Sequence, residues 1–406
     1  MKKKIILIIV FIIMLILLIP IPIKLRDGGS TEYRALLYTV TRYNKLDESK
    51  ETGFVNGTKI EILGFEVYDN TLENFENQDN VDTEIYSDDL SVALTLEDEI
   101  QNNTIWCGTF QLIWNDLKND LAKQDIVFTP QLEVVENLNK ETFTIDDISE
   151  ESYYKKLGTP SLELKEEIEN AIKEKFNETS NILDDFDWEN VGPEDYFLYV
   201  MLKKEFEFRT EFEELENGKF GEYDNIEYFG IETDESEILR DQVQVLFYNS
   251  KDDFAIKLIT KQNDEVILYK NPEGKTFNEI YQNILNKENA YTGAFKLLKG
   301  EQLKIPNISI NTKKEFTEIE DKVFLFSNGD EYRISKALQT IEFELDRKGG
   351  RITSEAGMMV TKEAIEFEPE EKREFFVDDT FVLFLIESGK DTPYFAALID
   401  DITKFQ

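Results

Sequence analysis

The sequence predicts an α+β protein, with helices packed on largely antiparallel β-sheets and one transmembrane helix ahead of them. Three observations predict it. Apolar residues recur every second position in some segments and every fourth in others, and the two kinds of segment are interspersed along the chain. A chain of 406 residues with 41% apolar content, 30 Phe and 17 Tyr can bury a large core and is not disordered. The first 26 residues read differently from everything after them.

Lys2, Lys3 and Lys4 precede an unbroken apolar run from Ile5 to Ile19, and "PIPI" extends it to Ile23. That length is about enough to cross a hydrocarbon core. A cleaved signal peptide is the competing reading, but no small-x-small cleavage site follows, and no cysteine stands where a lipid could be attached. Residues 1–26 are therefore read as an uncleaved signal anchor and 27–406 as an extracytoplasmic domain. The expected location is the cell membrane, single-pass, with the lysines inside and the bulk of the chain outside; Lys24 and Arg26 weaken that asymmetry.

Composition closes several function classes. The formal net charge is −39, from 84 acidic against 45 basic residues, and no basic block follows Lys4. Nucleic acid is excluded as a partner, because its binding needs a cationic footprint. Without histidine, Ser-His-Asp and Cys-His catalysis and histidine-ligated zinc are closed. The single cysteine, Cys107, permits no intramolecular disulfide and reads as a small core residue. Asp79, Asp82, Asp88 and Asp89 could bind calcium, but they lack the turn glycine of a helix-loop-helix site and read better as a solvated acidic face. No metal and no cofactor is expected.

Taken in order, a polar stalk leads into strands over Tyr33–Tyr43 and Thr58–Asn70, followed by an acidic loop over 71–89. Trp106, Phe110, Ile113, Trp114 and Leu117 predict a helix over Thr104–Leu121. Leu164, Ile168, Ile172 and Phe176, behind a Ser161 cap, predict another over Ser161–Phe176. "DYFLYVMLKKEFEFRTEF" begins as a buried strand at Asp195, and Gln242–Asn271 reads as three strands joined by polar turns. Thr276–Lys287 is a short amphipathic helix, Gln302–Phe316 a strand interrupted at Pro306, and "FVLFLIE" and "YFAALI" an apolar hairpin.

The stretch "TIEFELDRKGGRITSEAGMMV" (Thr340–Val360) is unusual. Ile341, Phe343 and Leu345 alternate with Glu342, Glu344 and Asp346; Gly349 and Gly350 then break the strand, and a second alternation follows. Gly350, Ile352, Ser354, Ala356, Met358 and Val360 form a small or apolar face opposite Arg351, Thr353 and Glu355. The pattern fails at Lys362, Glu366 and Glu368, and loop-like sequence runs to Phe381. An ordinary strand of a static fold is the plainer reading of 350–360.

In their order and spacing these segments resemble the C-terminal half of a serpin, best over 195–406 and loosely over 27–190. "KALQTIEFELDRKGG" is similar to the strand leading into the serpin reactive loop, "TSEAGMM" to its hinge, "LKIPNISI" to its Leu-Pro-Lys-Phe strand, and Phe381–Ile399 to its terminal hairpin. The sequence departs from the family where Ala396 replaces a glycine, where the Asn-x-Phe-Ser-Pro-x-Ser signature is missing, and where three extra residues follow Gly349.

The resemblance implies a protease trap rather than an enzyme. A target protease cleaves an exposed loop, about 350–378, and the freed hinge inserts as a strand. The hinge would comprise Gly349, Gly350, Thr353, Ser354, Glu355, Ala356 and Gly357. The scissile region would lie among Lys362, Glu363, Ala364, Ile365, Glu366 and Phe367, and a Glu-x bond there would suit a Glu-specific protease. Arg351, Ile352, Met358 and Met359 are larger than inhibitory hinges usually carry. A non-inhibitory serpin-like module for binding or structure at the cell surface therefore stays open, as does, more remotely, a carboxylate-pair glycosidase. A monomer is expected.

Overall fold

The computed structural model describes residues 21–24, 31–35, 38–46, 54–62, 65–69, 90–180, 182–232, 237–262, 264–351 and 372–406. The chain divides into two compact units, Met1–Ile85 and Tyr86–Gln406. The strands at 31–69 therefore group with the N-terminal residues, not with the larger body.

The first unit contains an antiparallel five-stranded sheet in sequence order: β1 (Ile21–Lys24), β2 (Thr31–Arg34), β3 (Tyr38–Leu46), β4 (Phe54–Ile62) and β5 (Phe65–Asp69). Ile21–Lys24, expected within the membrane helix, is strand. The remainder of the expected anchor, residues 1–20, lies outside the described residues, as do the four aspartates weighed for calcium. Among the described residues, no helix is long and apolar enough to cross a membrane.

The second unit opens with β6 (Ser91–Val92), β7 (Thr104–Cys107), α1 (Thr109–Asp116) with a π-helical extension over Leu117–Ala122, and α2 (Glu133–Leu138). β8 (Tyr153–Gly158), α3 (Leu162–Phe176), β9 (Phe197–Leu202), β10 (Phe206–Glu207), β11 (Glu213–Phe220) and β12 (Tyr223–Ile231) follow. Next come α4 (Glu237–Arg240), β13 (Val243–Ser250), β14 (Asp253–Ile259), β15 (Asp264–Lys270) and α5 (Phe277–Ala290). The unit ends with β16 (Gln302–Pro306), β17 (Ile308–Glu315), β18 (Val323–Leu325), β19 (Glu331–Arg333), β20 (Leu338–Asp346), β21 (Gly349–Arg351), β22 (Glu374–Phe376), β23 (Phe381–Glu387) and β24 (Phe395–Ile399).

The largest sheet has seven strands in the order β13-β14-β15-β23-β24-β7-β6. All seven residues of β23 are buried, and the apolar run Phe381–Ile386 is what a strand covered on both faces requires. Two four-stranded sheets, β10-β21-β20-β17 and β11-β12-β16-β22, share the main core with it.

A second core gathers Phe110 and Trp114 of α1 with Ile126, Phe316, Phe324 and Ala337. A third lies under α3, whose Leu164, Ile168, Ile172 and Phe176 pack on Phe197 and Tyr199 of β9. That helix starts where Ser161 Oγ accepts from the Leu164 N–H at 3.1 Å, and it ends at Asn177 in the left-handed region, φ 54°.

Two further expectations need correction. Thr104–Cys107 is not helical: it pairs antiparallel with β24, and the helix begins only at Thr109. Residues 104–107 are all buried, so both faces are apolar and helical spacing could not be told from a buried strand. The expected loop before Phe381 contains β22, which pairs parallel with β16. β11 and β12, which no periodicity marked, form an antiparallel pair.

Candidate functional site

The segment of interest starts at β20, which pairs with β17 along Leu338–Leu345. Ile341, Phe343 and Leu345 are buried, and Glu342, Glu344 and Asp346 are exposed, as the alternation predicted. The turn at Arg347 and Lys348 is held on both sides. Asp346 Oδ1 accepts from the N–H groups of Lys348 (2.7 Å) and Gly349 (3.2 Å). The carbonyls of Arg347 and Lys348 accept from Phe212 N (2.9 Å) and Phe208 N (2.8 Å).

Gly349–Arg351 then turns back as β21, antiparallel to β20 on one edge and to β10 on the other. Both glycines are required by this close approach. A Cβ on Gly349, whose φ is +154°, would fall 2.0 Å from the Phe206 carbonyl oxygen, and one on Gly350 would fall 2.3 Å from the Phe206 ring. Phe206, buried in the main core, had gone unnoticed in the sequence; its only signal was the run of alternating phenylalanines, Phe206, Phe208 and Phe212.

Of the hinge residues expected from sequence, Gly349 and Gly350 are thus placed together between two strands. Thr353, Ser354, Glu355, Ala356 and Gly357 lie outside the described residues. So do Lys362, Glu363, Ala364, Ile365, Glu366 and Phe367.

The chain returns at an anchor that sequence reading missed. Arg373 grips Glu301 side-on, Nε to Oε1 at 2.7 Å and an Nη to Oε2 at 2.8 Å. Its other donors reach Tyr291 OH (2.9 Å), Ala294 O (2.8 Å) and Lys296 O (2.8 Å). Glu301 is 1% exposed, so the pair is a desolvated one with its donors satisfied. An arginine among "EEKREFF" gave no signal for this, because its partner is 72 residues away.

Beneath β20, Gln339 donates to Thr109 Oγ1 (2.7 Å) and Cys107 O (3.2 Å), tying that strand to the start of α1. Cys107 is buried and free, and burial pushes its thiol up, which fits a core residue. A cavity of about 290 Å³ gathers Asp252, Glu374, Asp378 and Asp379 around Lys270. Two of these acids are held by the lysine, Asp378 at 2.6 Å and Asp252 at 3.4 Å, which makes an ion-pair cluster rather than an acid/base pair poised over a substrate.

No family model matches the sequence, and no curated protein matches it. Three of the solved structures similar to the chain are human thyroxine-binding globulin with thyroxine, Serpin48 of the insect Tenebrio molitor, and SRPN18 of Anopheles gambiae. The first is 12% identical over 74% of this chain and 92% of its own, with a TM-score of 0.43. Serpin48, described as a highly specific serpin, is 10% identical over 74% and 92%, with a TM-score of 0.40. SRPN18 is 10% identical over 60% and 66%, with a TM-score of 0.36. At these identities and scores the likeness says nothing about activity, and the functional reading rests on the strand pairing around Gly349.

Proposed function

We propose that the protein is a protease inhibitor that works by cleavage among Lys362–Phe367 followed by pairing of the upstream part into the sheet of β10, β21, β20 and β17. One observation carries this reading: Gly349 and Gly350 already lie between two strands, in a register that can be continued through Arg351. Gly350 is paired with Phe206 on one side and Leu345 on the other. Counting on in that register sets Ile352 opposite Phe343, Ser354 opposite Ile341 and Ala356 opposite Gln339, all buried on β20. On the other edge the same three meet Lys204, Leu202 and Val200. Thr353 and Glu355 fall opposite Glu342 and Thr340, on the other face.

The small and apolar positions of the segment are therefore the ones that would turn inward. Among the described residues, no strand pairs with β20 along Leu338–Phe343 on the edge that β21 shares. A strand added there gains two ladders of hydrogen bonds and buries an apolar face, so a cleaved chain would be more stable than the intact one.

The reading is tested with the full chain and a panel of serine and cysteine proteases. The expected results are a denaturant-resistant covalent complex with one of them and a rise in Tm of the cleaved chain. Cleavage near 360–370 with neither result would refute it.

A non-inhibitory serpin-like module, whose loop never inserts, is favoured by the bulk of Arg351, Ile352, Met358 and Met359; cleavage with neither a complex nor a raised Tm would select it. The apolar run Ile5–Ile19 supports a membrane anchor with the remaining chain extracytoplasmic. Carbonate-resistant sedimentation with membranes, lost on deleting residues 1–20, tests that part.

A further inference from the structure

The break between β9 and β10, at Lys203–Glu205, is held by a buried ion cluster that the reading above does not use. Lys204 is 3% exposed, and its ammonium binds Asp264 and, at 2.7 Å, Glu387 Oε1. Asp264 opens β15, Glu387 closes β23, and both carboxylates are buried. Tyr394 donates to Asp264 at 3.0 Å, and its ring centroid lies 4.7 Å from the lysine nitrogen. Glu387 also accepts from Ser149 N at 3.0 and 3.1 Å and from Ser149 Oγ at 2.7 Å. The backbone of the same break is tied to the same turn, since Lys203 N donates to Ser152 O at 2.9 Å.

One cation and two carboxylates share this site. Burial works to raise both acids; it prevails at Asp264, whereas Lys204 and Ser149 prevail at Glu387 and hold it low. A buried ion cluster is rarely more stable than an apolar replacement of the same shape, so stability gives no reason for its presence. Its position gives one. The pairing of Phe206 with Gly350 and of Glu207 with Gly349, continued by two residues, brings position 352 opposite Lys204.

We propose that Lys204, with Asp264 and Glu387, is a charge staple that holds the β9–β10 break against the seven-stranded sheet and so governs how fast the chain beyond Arg351 pairs with β9. Lys204 is a positioning residue, and the proposal rests on the insertion reading given above. Its second half is that the staple retards pairing: the break must straighten for Ile352 to lie beside Lys204, and straightening pulls the ammonium from its two carboxylates.

The test compares the full chain with the triple variant Lys204→Met, Asp264→Asn, Glu387→Gln, which keeps shape and leaves no unpaired charge. Cooperative unfolding of the variant establishes that it folds, and Lys204→Arg serves as the conservative rescue. Amide hydrogen exchange of the uncleaved proteins at Leu202–Phe206 is expected to be tenfold or more faster in the triple variant and restored in Lys204→Arg. After cleavage within 352–371, the rise to the more stable form is expected to be tenfold or more faster. Unchanged exchange overturns the staple whether or not insertion occurs. Altered exchange with an unchanged conversion rate overturns its control of pairing. If the cleaved natural chain never gains stability, the insertion reading falls, and control of pairing falls with it, while the exchange result still decides the staple. A triple variant that fails to fold overturns the proposal too, because the cluster would then be a structural necessity.

Discussion

Gly349 lies so close to Phe206 that a single added carbon would sit 2.0 Å from the phenylalanine carbonyl oxygen. This contact fixes where the chain turns from β20 into β21. Gly349→Ala is expected to lower stability by about 1–3 kcal/mol through backbone strain and displacement of β10. Gly329, at φ +92° with open space around it, is the control. Its alanine variant should lose less in urea unfolding, and equal losses would show that the Phe206 contact is not the cause.

The Arg373–Glu301 pair should behave as a buried one. Arg373→Ala leaves a carboxylate at 1% exposure without its cation, and a loss of about 3–5 kcal/mol is expected. The double variant with Glu301→Ala should cost clearly less than the sum of the singles in a double-mutant cycle, because no charge is then stranded.

Alkaline pH should weaken the unit under α3. Burial lifts the Tyr199 hydroxyl to about 12. The folded form therefore holds its proton more tightly than the unfolded chain, whose tyrosine titrates near ~10. The contribution is complete below ~10 and is lost as pH rises through about 12, an effect on the order of 2 kcal/mol. Denaturation at pH ~9 and ~11.5 should show this slope, and Tyr199→Phe should flatten it. Tyr281, also lifted to about 12 by burial, will contribute a second, independent part.

If the segment beyond Arg351 inserts, Gly357 comes to lie opposite Tyr199 and Leu338, which are both buried. Gly357→Val should leave the Tm of the intact chain unchanged and reduce the rise that follows cleavage. A lowered Tm before cleavage would place residue 357 in the core already.

The elements legible in the sequence were those whose own pattern matches their burial. β20 alternates because one of its faces meets the core and the other meets water. α3 shows its four buried residues at regular spacing behind a serine cap, and β23 is apolar from Phe381 to Ile386. Other elements owe their form to partners far along the chain. β11, "EELENGKF", carries little strand propensity, and its pairing with β12 compensates. β22 is only three residues long and exists because β16 offers an edge. At the candidate site the two glycines stood out, whereas Phe206, Lys204 and Arg373 act through distant residues and left no local mark.

The seven-stranded sheet places a demand on synthesis. Trp106 of β7 pairs with Ala396 of β24, 290 positions later (396 − 106). At roughly 5–20 residues per second, β7 and the adjoining β6 wait about 15–60 s after translation before their neighbour exists. Through that interval the edge of β7 that later meets β24 has no strand to pair with, which leaves the stretch of Ile105, Trp106 and Cys107 open to mispairing in the nascent chain.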